Sequence, residues 1–260
     1  MRYRQLVYWS TVTYSVLRQR QLGYFYALGF PKSGTGWLSR LLSDYLGLPG
    51  LRLKHRNLPA FSPCVIKMHR FLKGGFVKNR TIYIVRDPRD VAVSYYWHVL
   101  RTGGPGLRDV ESTMGVTMTP EKLRQNLPAL IEYLQLGRCG AVAYSQHINQ
   151  ALANDYNIIK YEDLLTDCYS TLSESFSRLT GGHVDEARLR ETVSRHTFEA
   201  ETGRAPGVAA PENYIRKGVS GDWKNHFSDK ALRVLDEHCG ETMVKLGYES
   251  DRTWARSFAA

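Results

Sequence analysis

What the chain lacks narrows its possibilities first. It has only four cysteines, Cys64, Cys139, Cys168 and Cys239, with no C-x-x-C pair among them. That argues against a zinc knuckle and against a secreted disulfide framework. No His, Asp and Glu cluster has metal-ligand spacing, so no metal is expected. Internal repeats and low-complexity tracts are missing as well. No apolar run is long enough to cross a bilayer: the N-terminal LVYWSTVTYSVL is broken by Ser and Thr and carries no small-residue cleavage signature. Residues 1–22 are therefore expected to form a packed helical extension, the one place where membrane contact stays open. Residues 23–260 are expected to form a single domain in a reducing, cytoplasmic setting. Acidic residues are scarce against basic ones, 25 to 35, which leaves a formal charge of +10. This balance favours anionic partners without choosing among nucleotides, sulfated or phosphorylated compounds, nucleic acid and acidic membranes.

What is present centres on residues 24–46, YFYALGFPKSGTGWLSRLLSDYL. Tyr24, Phe25, Tyr26, Ala27 and Leu28 have the character of a buried strand, while Leu38, Leu41, Leu42, Tyr45 and Leu46 recur at helical spacing. The glycine-rich turn between them opens a helix near Thr35, whose first N–H groups and dipole favour an anion. Gly34 and Gly36 permit close backbone approach, Lys32 adds a mobile charge, and Ser33 and Thr35 add hydroxyl donors. The spelling is close to the nucleotide loop G-x-x-x-x-G-K-[ST], but Thr35 and Gly36 stand where that motif has Lys and Ser/Thr. The hydroxyl that would hold Mg²⁺ is displaced, so the loop suits a phosphate without a metal.

Further along, residues 48–63 read as an exposed basic connection and residues 64–68 as a buried strand delivering Lys67 and His69 to its end. Residues 81–86 form the next apolar run, followed by a proline-started helix from about Arg89 that includes Ser94. Residues 101–120, with RTGGPG, read as a long loop or lid. A helix over 121–139 is expected to be interrupted or kinked at Pro128. Residues 144–154 read as a helix, 156–161 as a strand, and 162–167 as a turn leading into a helix to 179. Two more helices are expected over 185–194 and 229–246, with a loop at 202–213. Strands alternating with helices predict an α/β fold: a P-loop-like three-layer arrangement with a central, mostly parallel sheet flanked by helices.

Four separated stretches, FPKSGTGW, VIKMH, VRDPRDVAVSYYWH and RKGVSGDWKNHF, with YEDLL between the last two, together resemble the sulfotransferases that use 3′-phosphoadenosine 5′-phosphosulfate (PAPS). The resemblance runs from about residue 24 to residue 227, and its last stretch is the most specific. It implies that Lys32, Ser33, Gly34, Thr35 and Gly36 hold the 5′ end of PAPS and that Trp37 stacks on adenine. It also implies that Arg86 and Ser94, with Arg216, Lys217 and Gly218, hold the 3′-phosphate, and that Tyr161 and Thr197 contact the base. The pattern departs at Gly36, where the soluble small-molecule branch has a second threonine. It departs again at Arg233, where that branch's dimer segment has a glutamate, so oligomeric state is left open.

The expected chemistry is direct in-line transfer of a sulfuryl group to a small-molecule acceptor, with PAPS as co-substrate and no nucleic-acid partner. His69 would take the acceptor's proton and Lys32 would neutralise the leaving oxygen. Lys67, two residues before His69 on one strand face, would assist at the sulfuryl oxygens, and Ser94 would restrain Lys32 until acceptor binds. The alternatives are an ATP-using kinase, which lacks the Lys-Ser/Thr pair, and a basic protein that binds nucleic acid or membrane surfaces.

Overall fold

The computed structural model describes residues 23–52, 62–71, 75–139 and 141–257. The expected N-terminal helix over 1–22 lies outside them. In chain order the elements are β1 (Phe25–Leu28), α1 (Thr35–Leu46), β2 (Gly50–Arg52), β3 (Val65–Met68), α2 (Gly75–Lys78), β4 (Thr81–Val85), α3 (Pro88–Thr102), α4 (Gly104–Met114), α5 (Leu123–Gln135) and α6 (Tyr144–Ala153). They continue with β5 (Asn157–Lys160), α7 (Tyr161–Thr166), α8 (Cys168–Thr180), α9 (Glu186–Arg195), α10 (Phe198–Thr202), α11 (Asp229–Lys245) and α12 (Trp254–Ser257). The chain divides into two compact units. One comprises residues 1–30, 34–85 and 151–201, and the other residues 31–33, 86–150 and 202–260.

The first unit contains the sheet, five parallel strands in the order β2-β3-β1-β4-β5. β4 is buried along its whole length, which is why TIYIV is a continuous apolar run rather than an alternating one. Leu38, Leu41, Leu42 and Tyr45 of α1 join Ala27, Val65, Ile82, Ile84, Leu172, Phe176 and Leu189 in one core. Each fully buried leucine there contributes about 1.5–3 kcal/mol relative to an exposed one. β1 and β4 are neighbours, and the strands that follow them in the chain, β2 and β5, lie at opposite edges of the sheet. The crevice beyond the carboxyl ends of such strands is where open α/β sheets bind ligands.

The second unit is helical. Residues Val91, Val93, Tyr95, Tyr96 and Val99 give α3 a buried face, and α3 packs with α5 and α11. Asp87 caps α3 by accepting the Arg89 N–H, with Pro88 in the first turn.

Three expectations need correction. The loop expected over 101–120 is helical for much of its length: α3 runs on to Thr102 and α4 follows at Gly104–Met114. Gly103, at φ 56, breaks the chain between the two helices without unwinding either, and Val110 supplies the buried contact of α4. The basic connection begins with an edge strand, since Gly50–Arg52 pairs with β3. Three residues are too few to show a period. Finally, of the interruption or kink expected at Pro128, the interruption does not occur: α5 runs through it as one helix.

Candidate functional site

The turn after β1 is shaped by two close approaches. A Cβ on Gly29 would lie 2.5 Å from the Ile84 carbonyl oxygen, so only glycine lets β1 leave the sheet this near β4. Gly34 has φ +93, and a Cβ there would lie 2.6 Å from Cδ2 of Tyr161. That position excludes a side chain by conformation and by space alike. Lys32 itself takes a left-handed φ of 73, a strained choice for a lysine and one common at ligand-binding turns.

α1 then starts without a side-chain cap and with no acidic residue in its first turn. The hydroxyls of Ser33 and Thr35 are buried and have no hydrogen-bond partner in the protein. Buried hydroxyls are normally paired, so these two are available to the oxygens of a ligand. Two orphaned donors, an unanswered helix N-terminus and glycines where side chains would collide fit an anion with several oxygens.

Other site residues of the first unit sit close to this turn. His69, just past β3, has Nδ1 2.8 Å from the Gly29 carbonyl oxygen. A carbonyl only accepts, so Nδ1 carries the hydrogen and the neutral ring presents Nε2 as its basic nitrogen. Lys67 lines an open cavity of about 870 Å³ together with Gly36, Ser39 and Ser43 of α1. Trp37 is half-buried, donates from Nε1 to the His196 carbonyl at 2.8 Å, and meets Tyr161 edge-on at 5.9 Å. Thr197 is exposed, and its hydroxyl accepts the Ala200 N–H at 3.1 Å, which gives it a capping job beside any contact with a base.

The second unit gathers the cations. Arg86, leaving β4, donates from Nη1 to the Lys32 carbonyl at 3.4 Å and from Nη2 to the Val219 carbonyl at 3.2 Å. One guanidinium therefore joins the glycine-rich turn to the segment immediately after Arg216, Lys217 and Gly218. The ammonium of Lys32 lies 4.3 Å from the centre of the Tyr214 ring. Arg216 Nη2 and Lys217 Nζ each donate to Asp222 at 2.5 Å, and His226 Nε2 lies 3.3 Å from the same carboxylate. Burial raises the Asp222 carboxyl, but hydrogen bonds from His226, Arg216 and Lys217 outweigh it and hold the group far below the usual carboxylate range. Gly218 turns the chain at φ 65. Ser94 is half-buried on α3.

Several residues that organise these positions were given no role from the sequence, although Asp90 and Arg89 lie inside the VRDPRDVAVSYYWH stretch. Asp90 is buried and accepts the N–H of Gly221 at 2.7 Å and of Trp223 at 3.0 Å, which ties the start of α3 to the GDW stretch. Burial raises its carboxyl above the ordinary value, while Arg86 opposes that rise. Arg89 is held by Asp87 and Glu249 and lies 4.1 Å from the Trp223 ring centre. Arg204 donates to the carbonyls of Val208, Ile215 and Arg216, folding the loop before RKG onto itself. Among the described residues no group of three or more His, Cys, Asp and Glu could hold a metal, and no helix is long and apolar enough to cross a membrane.

Comparisons with known proteins come down on one side. The family model described as "Sulfotransferase domain" matches residues 48–247. The guinea pig (Cavia porcellus) 3-alpha-hydroxysteroid sulfotransferase is 27% identical over 251 residues, covering 83% of this chain and 82% of that protein. Sulfotransferase 1E1 of mouse (Mus musculus) is 24% identical, covering 91% and 88%. Among solved structures, mouse sulfotransferase SULT7A1 complexed with PAP superposes with a TM-score of 0.61 at 20% identity, covering 90% of this chain and 89% of its own. A retinol dehydratase in complex with androsterone and the inactive cofactor PAP gives 0.62 at 16%, covering 91% and 85%. The fold is theirs: a central parallel sheet flanked by helices, of the P-loop-like type.

Proposed function

The chain belongs to the sulfotransferase domain family, and on that premise we propose that it moves the sulfuryl group of PAPS to a hydroxyl or amine of a small-molecule acceptor. Arg86 carries this reading. Its guanidinium reaches the carbonyls of both Lys32 and Val219, so the turn assigned to the 5′-phosphosulfate and the segment assigned to the 3′-phosphate share one side chain. A molecule with phosphate-type groups at both ends of an adenosine matches that pairing, and ATP does not.

When bound, PAPS supplies an electrophilic sulfur and a bisphosphate leaving group. The residues then have separate tasks. Ser33, Gly34, Thr35 and Gly36 receive the 5′ oxygens, with the two unpartnered hydroxyls as donors. Arg86, Ser94, Arg216, Lys217 and Gly218 hold the 3′-phosphate, and Trp37, Tyr161 and Thr197 hold the adenine. His69 accepts the acceptor's proton at Nε2, because Nδ1 is committed to the Gly29 carbonyl. Lys32 offsets charge at the leaving oxygen, Lys67 assists at the sulfuryl oxygens, and Ser94 restrains Lys32 before acceptor arrives.

Calorimetry and turnover test this together. Adenosine 3′,5′-bisphosphate should bind in preference to ATP, and labelled PAPS should modify members of a hydroxyl and amine acceptor pool in the presence of EDTA. His69→Ala should lower turnover by about 10²–10⁴-fold with unchanged bisphosphate affinity. Preference for ATP would overturn the donor assignment, and near-normal turnover of His69→Ala would overturn the base.

A further inference from the structure

His196 follows directly on α9 and touches two other elements of the first unit, α1 and α10. Its carbonyl accepts the Trp37 indole N–H at 2.8 Å. Its ring lies between two carboxylates, with Nδ1 2.9 Å from Glu201 Oε1 on α10 and Nε2 3.3 Å from Asp44 Oδ2 on α1. Both carboxylates are themselves held, Glu201 by Arg40 through Nε at 2.6 Å and through Nη2, and Asp44 by Arg195 at 2.9 and 3.1 Å. The ring is largely withdrawn from solvent, with 18% of the side chain exposed. Thr197, the next residue, is fixed by its bond from the Ala200 N–H.

An indole has a single polar handle, and the direction of its hydrogen bond sets the plane of the ring. For Trp37 that handle meets the backbone carbonyl of the residue whose ring Asp44 and Glu201 hold. The edge-on contact with Tyr161, at 72°, supports the ring from the side but does not hold the N–H. The Asp44 and Glu201 contacts therefore act on Trp37 through His196.

We infer that His196 is a positioning residue for the adenine platform: clamped between Asp44 and Glu201, it holds the Trp37 indole at the angle at which a purine stacks. The inference rests on the donor reading above, in which Trp37 meets adenine. It adds a residue that acts on the nucleotide through the Trp37 indole. It also assigns a task to the Asp44, Glu201, Arg40 and Arg195 cluster, which the transfer chemistry does not use.

The test compares two ligands across a set of variants. His196→Ala removes the clamp, His196→Asn keeps a donor near Nδ1 for Glu201, and His196→Gln reaches the place of Nε2 toward Asp44. Adenosine 3′,5′-bisphosphate should bind His196→Ala about tenfold more weakly, a partial loss of base stacking. The two amide variants should fall in between. Ribose 3,5-bisphosphate, which lacks the base, should bind wild type and all three variants alike. Saturating PAPS should restore turnover to within about twofold, so the defect appears in KM and not in kcat. In a Trp37→Ala background His196→Ala should cost little more, because the two act on the same contact. If His196→Ala does not fold, the Asn and Gln variants carry the test: each should weaken binding of adenosine 3′,5′-bisphosphate and leave that of ribose 3,5-bisphosphate unchanged. Equal weakening of both ligands, full additivity with Trp37→Ala, or unchanged adenosine bisphosphate affinity would each overturn the inference. Failure of wild type to bind adenosine 3′,5′-bisphosphate is a different result, which removes the donor reading itself.

Discussion

In the proposed function the glycine-framed cradle at the start of α1 and the charged cluster around Asp222 each take one anionic end of the donor, and they are made of opposite materials. The cradle has hydroxyls and backbone but no formal charge of its own beyond the neighbouring Lys32. Its fit is steric: Gly29 lies against Ile84 and Gly34 against Tyr161, with no room for one methyl group. The cluster is electrostatic. Arg216, Lys217 and His226 converge on one buried carboxylate, so the protein carries an internal anion that keeps like charges together. The comparison teaches where each can fail. A cradle built on contact fails by tenths of an ångström and is nearly indifferent to salt. A cluster built on charge tolerates displacement but responds to screening, because charges farther apart than about 8 Å are masked at physiological ionic strength.

The largest expected effect comes from breaking the steric half. Gly34→Ala places an ordinary residue at φ +93, beside a ring carbon 2.6 Å away. The left-handed conformation costs about 1–2 kcal/mol, and the collision adds about 1–3 kcal/mol unless Tyr161 moves. A lowered unfolding midpoint and loss of adenosine 3′,5′-bisphosphate binding by calorimetry are expected together. Gly34→Ala combined with Tyr161→Ala separates the two contributions: it should recover the collision but not the conformational cost. Full recovery would show that space alone makes Gly34 necessary.

Breaking the charged half should cost less. Asp222→Asn leaves Arg216 and Lys217 without their shared partner, for a loss of about 1–2 kcal/mol, kept modest because the two cations are partly in water. Its pH dependence has a definite sign. The folded-state pKa of Asp222 lies far below the ordinary carboxylate value. The carboxylate's contribution is therefore complete above that value and is lost as the pH falls through the folded-state pKa. Wild type and Asp222→Asn should differ by a constant amount between pH 5 and 8 in thermal melts, and the gap should narrow only in acid. A gap that opened and closed around neutrality would place the stabilisation on a different group.

The same division explains what the sequence revealed. The turn was legible in part because its demands fall on the backbone: close approach was expected at Gly34 and Gly36, and the structure has it at Gly34 and also at Gly29, which the sequence had not singled out. β1, α1, β3 and β4 were legible for a similar reason, since their periods are local. The cluster was legible only in its cations, through resemblance. Asp222 answers them with a side chain that reads as ordinary, and Asp90 reaches Gly221 and Trp223 across more than a hundred residues. Nothing local signals such a bond. His196 is hidden in the same way, because its partners on α1 are distant in sequence. α4 was misread for the opposite reason: GGPG is a strong local breaker, yet Gly103 and Pro105 start a helix here.

The smallest effect is the one that separates fold from function most sharply, and it lies in the cradle. Thr35 is 2% exposed, and its hydroxyl has no partner in the protein. Thr35→Val keeps the branched shape and removes only that hydroxyl. In the free protein the exchange relieves a buried, unpaired polar group, so the unfolding midpoint should hold steady or rise slightly. In the complex it deletes one donor to a phosphate-type oxygen, so bisphosphate affinity should fall by about 0.5–1.5 kcal/mol, several-fold in Kd. The lost bond is short-ranged and neutral on the protein side. The fold-loss should therefore be the same in 0.05 M and in 0.5 M salt, whereas the loss in Arg216→Ala should shrink as salt rises. A Thr35→Val variant that bound as tightly as wild type would mean that the orphaned hydroxyl serves no ligand, and the cradle would be reduced to a tight turn.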